Sequence, residues 1–206
     1  MGNRALIVPK GMENIGVYLH WNGGLDSVTA FLKYCEMRDF RHFGGENADG
    51  YGLARFIQVV GNYFGGGLSL GVQSISDDLE KEAEWLDNGI YIVDKWEIVQ
   101  RIGYESGHEG YDLTQMLIDI DKAQPKKEQL TEGYIRAEEV DPTDLEIGDE
   151  VYFYDYVEQR FTRTNVVGLG NCAGYALYMP YVDMYPNHDT INPNNFIREK
   201  VRKVKD

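Results

Sequence analysis

A chain of 206 residues, 43% hydrophobic and 13% aromatic, is long enough for one well-packed domain or a domain with a small appendage, which excludes global disorder. Its 34 Asp and Glu against 20 Lys and Arg leave a net charge of −14, a surface that repels nucleic acid and anionic membrane and attracts basic partners. Two cysteines, Cys35 and Cys172, make no disulfide framework. With no CxxC or HExxH and four scattered histidines, neither a metal nor a cofactor is expected. No run of 18 apolar residues occurs, MGNRALIVPK lacks a signal-peptide core, and position 6 is Leu where myristoylation wants Ser or Thr, so a cytoplasmic location is expected.

In chain order, Ala5–Val8 reads as a short apolar strand ended by Pro9-Lys10-Gly11, and Gly16–Trp21 as a strand pairing back on it. Asn22-Gly23-Gly24 breaks that strand. A helix follows, capped by Asp26 or Ser27, with Val28, Phe31, Leu32 and Cys35 on one face. Residues 39–50 are a polar loop. Leu53, Phe56, Ile57, Val60 and Phe64 mark a second helix, which Gly65-Gly66-Gly67 stops before a strand over 68–73.

Ser76 has the chemistry of a cap for the acidic turn 77–85, and six acids against one lysine lie between Asp77 and Asn88. Residues 90–93 and 96–99 form a hairpin around Asp94-Lys95. A third helix spans about 112–122, with Leu113, Met116, Leu117 and Ile120 inward. Beyond the polar stretch 124–136, two strands near 151–156 and 161–167 are followed by Gly168 and Gly170, then a third strand near 175–182. The predicted class is α+β: a mixed or antiparallel sheet with three helices over 1–123, a linker over 124–136, a small SH3-like β-rich module over 137–196, and a basic tail over 197–206.

Two stretches invite functional readings. At the strand–helix junction, His20, Trp21 and Asn22 form a candidate pocket, with Asp26 able to orient His20 across the turn; a structural histidine competes with that reading. Cys172 paired with His188 or His20 is a weak nucleophile candidate, since nothing local lowers its pKa. The glycine clusters lack the spacing of a phosphate loop. The second stretch runs from Glu138 to Glu158 with no basic residue. Its acids Glu138, Glu139, Asp141, Asp144, Glu146, Asp149, Glu150 and Asp155 are interleaved with Tyr152, Tyr154 and Tyr156, and the tyrosines share one strand face. Closely spaced negative charge beside flat rings can imitate nucleic acid to a basic groove. A solvated edge that blocks aggregation is the plainer alternative.

Met1–Ala5, GVYLHWNGG over 16–24, DNGIYIV over 87–93 and WEIVQR over 96–101 together resemble a widespread, mostly uncharacterised family of small proteins from Gram-positive bacteria, their phages and mobile elements. The resemblance implies no catalytic residues. It implies an anti-CRISPR or other anti-defence setting, in which an acidic inhibitor blocks the basic groove of a nucleic-acid-handling effector. The expected partner is therefore a basic protein, with no direct nucleic acid on the acidic surface and no membrane. A small-molecule binder or enzyme at the His20 junction is the alternative.

Overall fold

A computed structural model describes residues 2–46, 50–66, 69–76, 78–103, 111–155, 160–171, 178–184, 196–197 and 200–204. It divides into two compact units, Met1–Gln129 and Leu130–Asp206. Both contain helix and sheet, so the chain is α+β with one mixed sheet.

In the first unit, strands Ala5–Pro9 (β1), Ile15–Leu19 (β2), Leu70–Ser74 (β3), Ile90–Asp94 (β4) and Glu97–Ile102 (β5) lie in the order β3-β2-β1-β4-β5. β1 and β4 are parallel and the other pairs antiparallel. All five residues of β1 are buried, as a central strand covered on both faces requires. Leu6 stands opposite both Tyr18 and Ile90, and with Val8, Ile92 and Ile102 it forms one core layer. That layer packs on Ala83 of the short helix Leu79–Ala83 (α3) and on Leu86. The alternate residues Ile7, Val17, Tyr91 and Val93 point to the other face and are fully buried.

Three longer helices, Leu25–Met37 (α1), Gly50–Phe64 (α2) and Leu113–Ala123 (α4), stand where apolar spacing places them and pack on one another. The Tyr34 hydroxyl donates to Asp121 at 2.8 Å, joining α1 to α4 inside the core. Burial, reinforced by that carboxylate, pushes Tyr34 ionisation far up. Cys35 is fully buried on α1, and burial pushes its thiol well above the ordinary range.

Several local expectations are corrected. α1 begins after Gly24 with no side-chain cap, because the Asp26 carboxylate accepts from the Ser27 amide one residue away. The cap of α3 is Asp78, which accepts from the Lys81 amide, whereas the Ser76 hydroxyl donates to the Asp78 carbonyl. The β4–β5 turn is Lys95-Trp96, since Asp94 pairs with Glu97. Trp96 is nonetheless buried: its indole N–H donates to the Phe40 carbonyl and its ring stacks 5.9 Å from Phe43. Gln124, expected to open a linker, is buried, donating to the Val59 and Ile120 carbonyls and accepting from Asn62.

The second unit holds helix Glu132–Arg136 (α5), then strands Glu138–Val140 (β6), Glu150–Asp155 (β7), Arg160–Asn171 (β8), Tyr178–Val182 (β9) and Val201–Lys203 (β10). Their order is β6-β10-β7-β8-β9, antiparallel throughout. β8 pairs with β7 along its first half and with β9 along its second. A bulge between Val166 and Gly168 bends it there, and the sheet curls into a half-barrel. Gly168 therefore lies inside the strand, where a Cβ would fall 2.7 Å from the Tyr181 hydroxyl. Val151, Val166, Val182, Val201, Leu145 and Ile197 fill the core.

Residues 124–136, read from sequence as a linker, hold a 3₁₀ turn at Lys126–Glu128 and all of α5. Likewise the basic tail supplies β10, which bonds to β6 on one side and β7 on the other. Three residues of high charge carry no strand periodicity, so only their long-range pairing reveals them. Deleting residues 200–206 should leave β6 and β7 without the strand that joins them and strip Val201 from the core, at a cost of at least about 2–3 kcal/mol. Hydrogen exchange will check this: amides of 138–182 should lose protection while those of β1 and β4 keep it. Unchanged protection would make β10 dispensable.

Candidate functional site: an aromatic strip beside a hydrogen-bonded corner

The Trp21–Gly24 turn joins β2 to α1, with Asn22 at φ 56° and its amide side chain bonded to the Ser27 hydroxyl at 3.3 Å. At Gly23 a Cβ would fall 2.4 Å from the Asn3 carbonyl, so only glycine fits. The Gly23 amide donates to that carbonyl, and the Asn3 amide donates to the His20 carbonyl. Arg4 binds Asp87 through its amide at 3.0 Å and its Nε at 2.9 Å. The Asn88 amide donates to the Arg4 carbonyl and the Leu6 amide to that of Gly89. Tyr91 donates to the Gly23 carbonyl at 3.0 Å, and Arg101 donates to the Asn88 carbonyl while lying 4.6 Å from the centre of the Tyr91 ring. The segments 2–5, 16–24, 87–93 and 96–101 thus meet at one corner of the sheet.

Beside that corner runs a strip of rings. Tyr18 and His20, two residues apart, share a direction; the Tyr18 hydroxyl and His20 Nδ1 are hydrogen-bonded at 2.9 Å. Trp85 lies 5.6 Å from the Tyr18 ring, and Trp21 meets His20 edge-on at 5.0 Å. Trp21 is 47% exposed and Trp85 38%, high for the largest apolar side chain. The Trp85 indole N–H donates to Glu82 at 3.3 Å, and Glu80 and Glu84 stand exposed on and just after α3. Rings with negative faces beside carboxylates make a surface suited to guanidinium and ammonium groups.

His20 does not assemble an acid–base pair. Among the described residues its ring bonds to the Tyr18 hydroxyl and to no carboxylate, and Asp26 is engaged with the Ser27 amide. Trp21 and Asn22 flank it on the turn.

The acidic stretch of the second unit is arranged differently from its linear reading, because β10 brings cations into it. Lys200 lies 3.6 Å from Glu139, Lys203 2.7 Å from Asp149, and Arg163 on β8 pairs with Glu150. Glu138 stands opposite Lys203 in the β6–β10 register, and Asp155 opposite Arg160. Asp141 caps a second 3₁₀ turn, Pro142–Asp144, by accepting from Thr143. Burial works against the Asp149 carboxylate, yet the Glu146 amide and Lys203 together hold it below its usual range. Asp144 and Glu146 stay exposed.

Tyr152 and Tyr154 do share a face, but that face is packed. Tyr134 of α5 lies 5.5 Å from Tyr152 and 4.4 Å from Phe161, which in turn lies 5.3 Å from Tyr154. Arg202 sits 5.3 Å from the Tyr134 ring and donates to the Ala137 carbonyl. These rings seat α5 on the sheet. Tyr156, Glu158, Cys172 and His188 lie outside the described residues.

Sequence reasoning found His20 and Trp21 but missed Tyr18 and Trp85 as their neighbours. The available signal was Trp85 closing an acidic run that also serves the helix dipole. No family model, curated protein or solved structure matches this chain.

The Arg4 guanidinium, with the Arg4 amide, holds the Asp87 carboxyl down at about 2. The folded pKa is depressed, so this contribution is present above the ordinary carboxylate range and is lost as pH falls through about 2. In Arg4→Ala, the Asp87 carboxyl carbon should titrate by NMR near an ordinary aspartate, and the stability loss between about pH 4 and 2 should shrink. An unmoved Asp87 midpoint would assign the depression to backbone amides alone.

Proposed function

We propose that this chain acts by binding, as an acidic inhibitory protein that occupies the basic groove of a partner in the bacterial cytosol. The observation that carries this reading is the strip Trp85–Tyr18–His20–Trp21, two of its rings well exposed and the Glu82 carboxylate hydrogen-bonded to Trp85, with Glu80 and Glu84 exposed on the same acidic segment. An arginine entering the strip meets both a ring face and a carboxylate, and net charge −14 steers such a partner from a distance. The partner class we propose is a nucleic-acid-handling defence effector such as a CRISPR nuclease. That choice rests on the family resemblance we read in segments 16–24, 87–93 and 96–101 of the sequence. We read the second unit as an SH3-like module with exposed acids of its own at Asp144 and Glu146, while the ion pairs of Glu139, Asp149 and Glu150 reduce its use as an extended nucleic-acid mimic.

The test is competition. The purified chain should displace guide RNA or target DNA from a purified CRISPR nuclease, with affinity falling steeply with salt. Trp21→Ala with Trp85→Ala should weaken binding about tenfold or more, the usual cost of removing aromatic anchors. Charge reversal by Glu80→Lys with Glu84→Lys should slow association. Neutralising Asp144 and Glu146 should cost less than either. If the tryptophan and glutamate variants bind as the parent does, the strip is not the contact surface.

A further inference from the structure

Positive charge collects at one place on the first unit. The loop after α1 carries Arg38, Phe40, Arg41 and His42, and α2 carries Tyr51 and Arg55. The Arg38 guanidinium carbon lies 5.5 Å from the centre of the Phe40 ring and that of Arg55 lies 5.9 Å from the same centre. The Arg41 guanidinium carbon lies 4.9 Å from the centre of the Tyr51 ring. Loop and helix are locked together at Gly52, where a Cβ would fall 2.2 Å from the His42 carbonyl oxygen and 2.7 Å from that of Arg41. The arrangement is therefore set by backbone packing.

Arginines held by a ring keep N–H groups for an anion, and their planar fork matches phosphate. In a chain with 34 acids, neither Arg38 nor Arg55 has a carboxylate partner among the described residues; Arg55 gives one N–H to Gln58. Phe40 also lines a cavity of about 200 Å³, together with Glu36, Asp39, His42, Lys95, Trp96 and Glu97. The rings of Phe40 and Trp96 and the carboxylates of Glu36, Asp39 and Glu97 suit a small body rich in hydroxyl or amino donors. An anion alone would be repelled by those carboxylates, and a neutral body alone would leave the arginines unused.

We propose that this is a binding site for a compact phosphomonoester, a sugar phosphate or nucleoside monophosphate. Its phosphate rests on Arg38 and Arg55, the two arginines over the Phe40 ring, and its hydroxylated body enters the cavity that ring lines. A long polyanion is excluded by charge: net −14 repels successive phosphates, whereas one phosphate is met by the local cations at short range. This inference is independent of the aromatic strip.

Isothermal titration with AMP, ribose 5-phosphate, inorganic phosphate, adenosine and a single-stranded DNA oligonucleotide tests it. AMP or ribose 5-phosphate should bind most tightly, with inorganic phosphate and adenosine weaker by about tenfold or more. Arg38→Gln with Arg55→Gln should remove the preference for AMP over adenosine. Arg38 is half-buried, so Arg55→Glu at the exposed position provides a second variant and should do the same. The Trp21→Ala/Trp85→Ala protein should bind AMP as the parent does, which separates this site from the strip. Adenosine binding as tightly as AMP, unchanged affinity in both arginine variants, inorganic phosphate matching ribose 5-phosphate, or the oligonucleotide displacing AMP would each overturn it.

Discussion

The first unit depends on how β1 is held against β4. A parallel pair has no hairpin to set its register, and a slip of one residue would turn every inward side chain of β1 to the other face. Here β1 is separated from β4 by β2, three helices and β3, so local chain geometry cannot fix the pairing. The bonds from Arg4 to Asp87, from Asn88 to the Arg4 carbonyl and from Leu6 to the Gly89 carbonyl do so at the entry to both strands. The same corner captures the Gly23 turn through Asn3 and Tyr91, and thereby fixes where α1 starts. The position of Tyr18 and His20 follows from that register.

Charge in this molecule is distributed by topology more than by sequence runs. The longest uncompensated acidic stretch acquires Lys203 from β10 and Lys200 from just before it, while arginines from one loop and one helix converge on two rings. A net charge of −14 therefore coexists with a local cationic cluster. Short range decides what each patch can hold, since fields of exposed charges fade over about 8–10 Å at physiological salt.

Much of this was legible in the residues. The spacing of Phe31, Leu32 and Cys35, of Phe56 and Val60, and of Leu117 and Ile120 located the three long helices, because an amphipathic stripe several turns long is a strong signal. Both hairpins of the first unit were readable from alternation and turn residues. Trp96 misled the β4–β5 turn: an apolar residue reads as strand, yet here it occupies a turn position because Phe40 and Phe43 shelter it. β10 and α5 escaped because three and five residues are too short for a period to emerge. The tyrosine face of β7 was read correctly in direction and wrongly in exposure, since what covers a face is contributed by Tyr134 and Arg202 from elsewhere in the chain. A cluster assembled from one loop and one helix, such as Arg38 and Arg55 over Phe40, leaves no spacing to read.

Cys35 gives this architecture a built-in clock. A thiol reacts as its anion, and one sealed in the α1 core forms almost none while the helix stays docked. Its modification by a disulfide reagent must then wait for α1 to lift from the sheet. In a Cys172→Ser background, the rate at which this single thiol is consumed reports how often the first unit breathes, without denaturant and without any knowledge of what the protein binds.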